Sequence, residues 1–184
     1  MKKLLLIMGD LATGKSTFAN MLSRRYSTVL FCKDHIKETL ADTFGFSNRA
    51  ENLKLSSATA ELMYLIYSKV AAVNKDLILE SNFRIGELEK LQQIAAENDY
   101  QVLTLVLHGD VEILHERYLN RMHHENRPAV HLCAEFNAIE GFGAYLENLR
   151  TSTVPGYSIR IDANDFSYQT DAQLLKSIDE FMRD

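Results

Sequence analysis

Short apolar runs alternate with longer segments of helical periodicity along the whole chain. The runs have the nearly uninterrupted apolar character of strands that are buried on both faces of a sheet. Strands are predicted at residues 4–8, 28–32, 77–80, 101–107 and 157–161. Because helical segments connect them, the pattern predicts a three-layer α/β/α fold around a five-stranded parallel sheet.

Apolar residues between these runs recur every three or four positions, as they do on the buried face of a helix. Residues 45–52 lack this periodicity and are predicted to be irregular. A last helix is predicted to start at a capping box formed by Thr170 and Gln173. The whole chain, 1–184, is interpreted as one domain. Helices are predicted over 15–26, 34–42, 54–74, 85–95, 111–122 and 135–149.

The turn between the first strand and the first helix has the sequence GDLATGKST, residues 9–17. It matches the P-loop pattern G-x-x-x-x-G-K-[ST], in which backbone N–H groups and a helix N-terminus surround phosphate. Lys15 would reach the β- and γ-phosphates, and the Ser16 hydroxyl would bind Mg²⁺. ATP and Mg²⁺ are therefore the predicted cofactors. The predicted nucleotide-binding residues are Gly9, Asp10, Leu11, Ala12, Thr13, Gly14, Lys15, Ser16 and Thr17.

Two acidic residues follow neighbouring strands, where the carboxyl ends of a parallel sheet form a ligand crevice. Asp34 comes just after the second strand and would orient or deprotonate an acceptor hydroxyl near the γ-phosphate. The simpler alternative is that Asp34 caps the following helix. Glu80 ends the third strand, where it would hold the Mg²⁺ water shell or contact the acceptor, or only pair with a nearby base.

Three arginines lie in and behind the helix predicted over 111–122. Arg117 and Arg121 are four residues apart and share one helix face. Arg127 follows in a polar segment, 122–134, that is predicted to form a lid. Arginines in this position could clamp transferred phosphate charge, although a solvated helix face with glutamate partners would give the same pattern.

Composition narrows the function classes. The net charge of −5 and the pI of about 5.7 argue against a broad basic surface for duplex nucleic acid. The apolar run at 4–8 is too short for a signal peptide or a membrane span, and two distant cysteines suit a cytoplasmic protein. His123, His124, His131 and Cys133 match no compact zinc-finger spacing, so a metal site is not predicted.

Two other P-loop classes fit less well. Residues 73–77, VNKDL, approach the GTPase base-recognition pattern N-K-x-D, but Leu77 stands where the aspartate belongs. The segment also precedes a strand, whereas the GTPase motif follows one. The chain is short for an assembled motor ATPase.

Together, these pieces resemble the small P-loop kinases of the zeta-toxin-like type, relatives of polynucleotide kinase and chloramphenicol phosphotransferase. The resemblance rests on GDLATGKST, KDHIK at 33–37, LILESNF at 77–83, ERYLNRMHHENRP at 116–128 and YSIRIDANDF at 157–166. It implies the sheet order 2-3-1-4-5 and ATP-dependent phosphorylation of a hydroxyl on a small acceptor.

The resemblance also implies roles for individual residues. Asp34 would be the base-like residue, and Arg121 and Arg127 would belong to a closing lid. Together with Lys15, these form the predicted catalytic set. Many relatives carry arginine where this chain has Lys37, and lysine cannot make the same planar fork on a phosphate. The predicted acceptor-binding residues are Lys37, Glu80, Asn82 and Arg84.

Two alternatives remain open from the sequence. A nucleotide-binding regulator or weak ATPase would hydrolyse ATP without passing phosphate to any acceptor. A nucleoside or nucleotide kinase would need a base-recognising pocket along the 45–74 segment, for which Phe44, Phe46, Arg49 and Tyr64 are available.

Overall fold

A computed structural model describes residues 2–124, 128–131, 136–150 and 153–183. Its five strands are parallel and lie in the order β2-β3-β1-β4-β5, which confirms the predicted fold class. The central strand β1 pairs with β3 on one side and β4 on the other. The strands are β1 (Lys2–Gly9), β2 (Val29–Cys32), β3 (Leu77–Glu80), β4 (Tyr100–His108) and β5 (Tyr157–Asp162).

Helices connect the strands, as the periodicity predicts. Among the described residues, two short 3₁₀ turns accompany them, at Ala129–His131 and Ser167–Gln169. No helix in the described part of the chain combines the length and the apolar character that crossing a bilayer requires. The helices are α1 (Lys15–Tyr26), α2 (Lys33–Phe44), α3 (Arg49–Ala72), α4 (Ile85–Glu97), α5 (Val111–His124), α6 (Ile139–Arg150) and α7 (Ala172–Arg183).

The prediction that residues 45–52 are irregular is wrong for residues 49–52, which are helical. The Asn48 side chain accepts a hydrogen bond of 3.0 Å from the N–H of Glu51 and thereby caps α3, which starts at Arg49. The Glu51 carboxylate in turn accepts from the N–H of Ser47. Polar residues at the start of this helix therefore satisfy its free backbone N–H groups, so apolar periodicity alone locates the start too late.

Two other predicted helix starts are corrected. The Asp171 side chain accepts hydrogen bonds of 2.8 Å from the N–H groups of both Gln173 and Leu174, so Asp171 caps α7 and the capping box predicted at Thr170 is wrong. The helix predicted over 135–149 starts at Ile139, because residues 136–138 are not helical.

Two apolar clusters cover the faces of the sheet. Alternate residues of β1 point to opposite sides, so that Leu4 and Leu6 pack towards α3 and α4. Leu5 and Ile7 pack towards α1 and α7. Burial on both faces explains why the central strand β1 and its neighbour β3 are apolar without alternation. A third cluster joins α5 to α6 and also takes up Ala12 of the loop after β1.

The central position of β1 places the end of this strand in the middle of the carboxyl-terminal sheet edge. Gly9, at that end, has φ = +128° and lies directly against β4. A Cβ atom built there would lie 1.9 Å from the carbonyl oxygen of Leu107. The N–H of Asp10 donates to that same oxygen at 2.8 Å. Only glycine allows the chain to leave the sheet in this direction.

Substitution of Gly9 by alanine is therefore expected to lower the free energy of unfolding by about 3 kcal/mol or more. Gly86 is the matched control, since it lies in α4 and a Cβ atom added there would have no atom within 4 Å. Gly86→Ala should leave stability unchanged or raise it by up to about 0.5 kcal/mol. Urea unfolding of both variants checks the expectation. A Gly9→Ala protein as stable as the Gly86→Ala protein would contradict it.

Candidate functional site

The loop from Gly9 to Lys15 leaves β1 and turns back into α1 through left-handed conformations. Ala12 has φ = +61° and Gly14 has φ = +83°. A Cβ on Gly14 would lie 2.8 Å from the hydroxyl of Tyr168, which donates to the Thr13 carbonyl oxygen at 2.8 Å. The segment after β5 therefore supports the back of the loop and leaves no room for a larger residue at Gly14.

The N-terminus of α1 is open to an anion. No side chain caps it, and its first turn contains no acidic residue. The free N–H groups at this end carry the positive end of the helix dipole, which favours bound phosphate. Ser16 and Thr17 are exposed here. The backbone of this chain therefore fits the phosphate cradle that the sequence predicts.

Lys15 is buried beneath the loop, and its ammonium group donates a hydrogen bond to the carbonyl oxygen of Asp10. The Thr13 hydroxyl donates to the same oxygen at 2.9 Å. Burial lowers the pKa of Lys15, because desolvation penalises the charged form. Nearby carboxylates, with Glu80 the strongest and Asp34 next, act in the opposite direction and favour the ammonium form.

Glu80 lies at the end of β3 beside the start of α1. Its carboxylate accepts a hydrogen bond of 3.1 Å from the Ser16 hydroxyl. Burial raises the pKa of Glu80, and the charge of Lys15 together with hydrogen bonds from Ser16 and Cys32 opposes the shift. Hydroxyl and carboxylate oxygens are the ligands that Mg²⁺ prefers. The Ser16–Glu80 pair therefore fits a divalent cation near the loop.

Asp34 lies in the first turn of α2 and is exposed. Cys32 occupies the cap position of that helix, and no side chain there makes a capping hydrogen bond, so the helix-cap interpretation of Asp34 is wrong. The carboxylate is close enough to influence the titration of both Lys15 and Glu80. The structure thus brings these three predicted residues together at one edge of the sheet.

The turn after β3 contributes an amide to the same edge. Burial raises the pKa of Tyr145 on α6, and the nearby Asn82 side chain and the charge of Arg84 oppose this shift. The Asn82 Oδ1 atom is buried and has no hydrogen-bond partner among the described residues. The Arg84 side chain is exposed at the start of α4.

Lys37 takes part in a link between helices. Its ammonium group donates to the Asn52 Oδ1 atom at 2.8 Å, and the Asn52 amide donates to the carbonyl oxygen of Val130 at 2.8 Å. Lys37 thus joins α2 to α3 and to the 3₁₀ turn that contains Val130. Its contact with a phosphoryl acceptor stays a prediction.

The arginines of α5 differ in their surroundings. Arg117 donates to the carbonyl oxygen of Ala163 at 2.7 Å and lies 4.4 Å from the ring centre of Phe166, so it holds the loop after β5. Arg121 is close enough to Lys15 for its positive charge to lower the pKa of that lysine further. Arg127 lies outside the described residues, as does much of the predicted lid.

The residues His123, His124, His131 and Cys133, which are close together in sequence, are only partly described in the structure. The Nε2 atom of His131 lies 2.7 Å from a carboxylate oxygen of Glu38 on α2, and His123 is exposed. Cys133 and the side chain of His124 lie outside the described part of the chain. Among the described residues, no group of three or more His, Cys, Asp or Glu side chains is placed to hold a metal ion.

One ion pair at the site has no counterpart in the sequence analysis. The Asp10 carboxylate is 2 % exposed and accepts from both Nε and a terminal nitrogen of Arg150, at 3.1 and 2.5 Å. The Gly109 N–H also donates to it at 3.2 Å, while Arg150 donates to the Gly109 carbonyl oxygen. The end of α6 is thereby fixed to the P-loop and to the end of β4.

The sequence does not identify Arg150 or Tyr145, because both lie on α6, far along the chain from the residues that they approach. Asp10 and Arg150 are 140 residues apart, and neither lies in a local pattern that indicates the other. Arg150 has the appearance of an ordinary basic residue at a helix C-terminus. The one available signal was the aspartate itself, because a buried carboxylate inside an anion-binding loop requires a cationic partner.

We expect Arg150→Gln to lower the free energy of unfolding by about 2 kcal/mol, because it leaves a buried carboxylate without its cation. The decrease in the free energy of unfolding is smaller than for a fully buried pair, since the Arg150 side chain is 38 % exposed. The double variant that also carries Asp10→Asn should recover most of this free energy, because the unpaired buried charge is removed. Thermal and urea unfolding measure both effects.

The control is Lys176→Gln, which breaks an exposed pair with Glu180 at 3.8 Å. It should change stability by less than about 0.5 kcal/mol. If Arg150→Gln costs no more than this control, the ion pair with Asp10 does not stabilise the loop.

Solved structures share the architecture of this chain. A candidate kinase from Chloroflexus aurantiacus is 24% identical, with a TM-score of 0.82 and 98% of each chain covered. A gluconokinase from Sinorhizobium meliloti is 16% identical, with a TM-score of 0.58 and coverage of 97% of this chain and 94% of that one. A shikimate kinase from Aquifex aeolicus is 14% identical, with a TM-score of 0.59 and 96% of each chain covered. At these identities the similarity establishes the fold.

Comparison with curated proteins finds no match. A family profile does match the sequence, and the matched region includes the P-loop, β2, β3, β4 and α5. The sequence matches the profile described as an AAA domain over residues 4–140. The chain therefore belongs to this family of P-loop proteins.

Proposed function

We propose that the protein transfers the γ-phosphate of ATP to a hydroxyl group of a small acceptor molecule. The observation that carries the proposal is the convergence of Lys15, Asp34 and Glu80 at the open N-terminus of α1. A phosphate cradle alone would suit any nucleotide-binding protein. A carboxylate beside the lysine, at the end of a neighbouring strand, adds a group that can orient a hydroxyl.

The nucleotide would be held by the backbone N–H groups of residues 9–16 and by Lys15. Mg²⁺ would be held by the Ser16 hydroxyl with Glu80 close by, and it would neutralise charge on the β- and γ-phosphates. The hydrogen bond from Lys15 to the Asp10 carbonyl oxygen holds the ammonium group at the loop. Lys15 would exchange this neutral acceptor for phosphate oxygens, and a charged acceptor gives a stronger hydrogen bond.

In the transfer step, the acceptor oxygen forms a bond to the γ-phosphorus while the bond between this phosphorus and the β–γ bridging oxygen breaks. ADP leaves with the electron pair of the broken bond, and the hydroxyl proton passes to Asp34 or through it to water. Asp34 is exposed, so an acceptor can reach it from solvent. Asn82 and Arg84 border the same edge and would contact the body of the acceptor.

Arg121 and Arg127 would stabilise the transferring group. The proximity of Arg121 to Lys15 supports this role for Arg121, and the role of Arg127 rests on the resemblance to zeta-toxin-like kinases. The segment that contains Arg127 would close over the site and exclude water, which limits wasteful hydrolysis of ATP. The zeta-toxin-like type itself stays a prediction.

The two alternative functions differ from this proposal in measurable ways. A weak ATPase or regulator would have no acceptor hydroxyl for Asp34 to orient or deprotonate. A nucleoside or nucleotide kinase would need aromatic residues free to bind a base. Tyr64 is instead buried in the core cluster beneath α3, although Phe44 is exposed at the end of α2.

Incubation with labelled ATP and a metabolite pool tests the proposal directly. We expect a newly labelled small molecule that depends on both the protein and Mg²⁺. Labelled inorganic phosphate as the sole product would favour the weak ATPase.

Lys15→Ala should reduce transfer by about 100-fold or more, because the γ-phosphate loses its nearest cation. Lys54→Ala, on the exposed side of α3, is the control and should transfer at the wild-type rate. Equal rates for the two variants would show that the chemistry takes place elsewhere.

Asp34→Asn should keep ATP affinity and lose transfer by about 100-fold or more, because the amide cannot accept the acceptor proton. Asp42→Asn, also exposed on α2, is the matched control. The measurements are the dissociation constant for ATP and kcat on the acceptor found above. Unchanged kcat in the Asp34→Asn protein would remove Asp34 from the mechanism.

A further inference from the structure

A cavity of about 170 Å³ lies behind the P-loop, on the sheet face that carries α4. Its floor is a row of side chains across three strands, because Met8 of β1 is in register with Val106 of β4, and Val106 with Arg160 of β5. Leu149 near the end of α6 and Val154 before β5 form the opposite wall. Gly9 and Asp10 at the back of the P-loop and Asn82 of the turn after β3 also border the cavity.

The Arg160 end of the cavity and Asp34 lie at opposite sides of the sheet. Strands in a sheet are about 4.8 Å apart, so β2 and β5, four spacings apart in this sheet, are separated by about 19 Å. Arg160 therefore lies far from Asp34. Asn82 borders the cavity, whereas Asp34, Arg84 and Tyr145 do not.

The cavity carries an excess of positive charge. Of its charged residues, Arg150 is engaged by Asp10. Among the described residues, Arg160 forms no ion pair, and the nearby carboxylate of Asp162 accepts from the N–H of Asn164. An unpaired guanidinium beside apolar walls favours a bound carboxylate, because the fork of Arg matches its two oxygens.

The side-chain oxygen of Asn82, which also lines the cavity, indicates that the ligand carries a hydrogen-bond donor. The buried Oδ1 atom of Asn82 has no hydrogen-bond partner in the described part of the chain. A buried acceptor without a partner costs free energy, which a ligand donor would recover. Met8, Phe83 and Val106 provide an apolar surface for the body of such a ligand.

The volume sets the size of the ligand. A cavity of about 150 Å³ is large enough for benzene, whereas drug-sized ligands occupy about 300–1,000 Å³. We propose that this cavity is a second ligand site, which binds a small monocarboxylate with an apolar body through Arg160. The proposal does not require the phosphotransferase activity.

Benzoate is a suitable probe, and benzamide is its neutral control of the same shape. Titration of the full-length protein, followed by calorimetry and by NMR of the amide groups, should show saturable 1:1 binding of benzoate. Arg160→Gln should weaken benzoate binding about tenfold or more, because one charge-assisted hydrogen bond is lost. Benzamide should bind the wild-type protein more weakly by a similar factor.

Two further variants keep the test decisive. Val154→Phe should fill the cavity and abolish benzoate binding, even if Arg160→Gln perturbs the edge strand. Lys15→Ala should retain benzoate binding, and saturating ATP should not displace benzoate, because Lys15, Ser16 and Thr17 do not line the cavity. Loss of ATP binding in Lys15→Ala with retained benzoate binding would separate the two sites experimentally.

Several results would overturn the proposal. They are the absence of saturable benzoate binding to the wild-type protein, equal affinity in the Arg160→Gln or Val154→Phe protein, and competition between benzoate and ATP. Failure of the labelled-ATP experiment, by contrast, would leave the benzoate results unaffected.

Discussion

The buried ammonium group of Lys15 is the constraint on which the site depends. A charge removed from water requires opposite charge or hydrogen-bond acceptors around it. Here the Asp10 carbonyl oxygen accepts its hydrogen bond, and Glu80 and Asp34 supply negative charge. Glu80 ends β3, which is a direct neighbour of β1, and Asp34 follows β2, which is the next strand along, so the sheet order determines which charges can reach the lysine.

Asp10 illustrates how this balance extends beyond the loop. Its carboxylate is nearly inaccessible to solvent and would repel a polyphosphate if it were left unpaired. The guanidinium of Arg150 neutralises it, and the Gly109 N–H accounts for a further hydrogen bond. The loop can thus present its N–H groups to an anion while one of its own side chains is acidic. The cost of this arrangement is that the loop depends on the position of a distant helix.

Much of the fold could be predicted because the relevant signals are local. β1 and β3 are buried on both faces, the apolar runs locate all five strands to within two residues, and the P-loop is a contiguous motif. The order of the strands came from the resemblance to a family, since periodicity does not specify which strands are neighbours. The start of α3 and the cap of α7 were misplaced because Asn48 and Asp171 act through side-chain hydrogen bonds, to which apolar spacing is insensitive.

Part of the site could be predicted because several of its residues directly follow predicted strands. Residues at the ends of β1, β2 and β3 converge because parallel strands all end at the same edge. The contacts of Lys37, Tyr145 and Arg150 depend on how α2, α3 and α6 pack, and no short motif records this packing. Residue type was also a poor guide among the arginines, because Arg117 binds backbone carbonyl groups while Arg121 lies near Lys15.

The two anchored helices have a consequence for how such a protein could diversify. Arg117 fastens α5 to the loop after β5, and Arg150 fastens the end of α6 to the loop after β1. Neither attachment uses a residue from the stretch that joins the two helices. Substitutions in that stretch, at positions other than Arg127, could therefore accumulate during evolution without disturbing the phosphate cradle. Under the proposed function, new acceptor preferences could arise there while the chemistry of transfer was inherited unchanged.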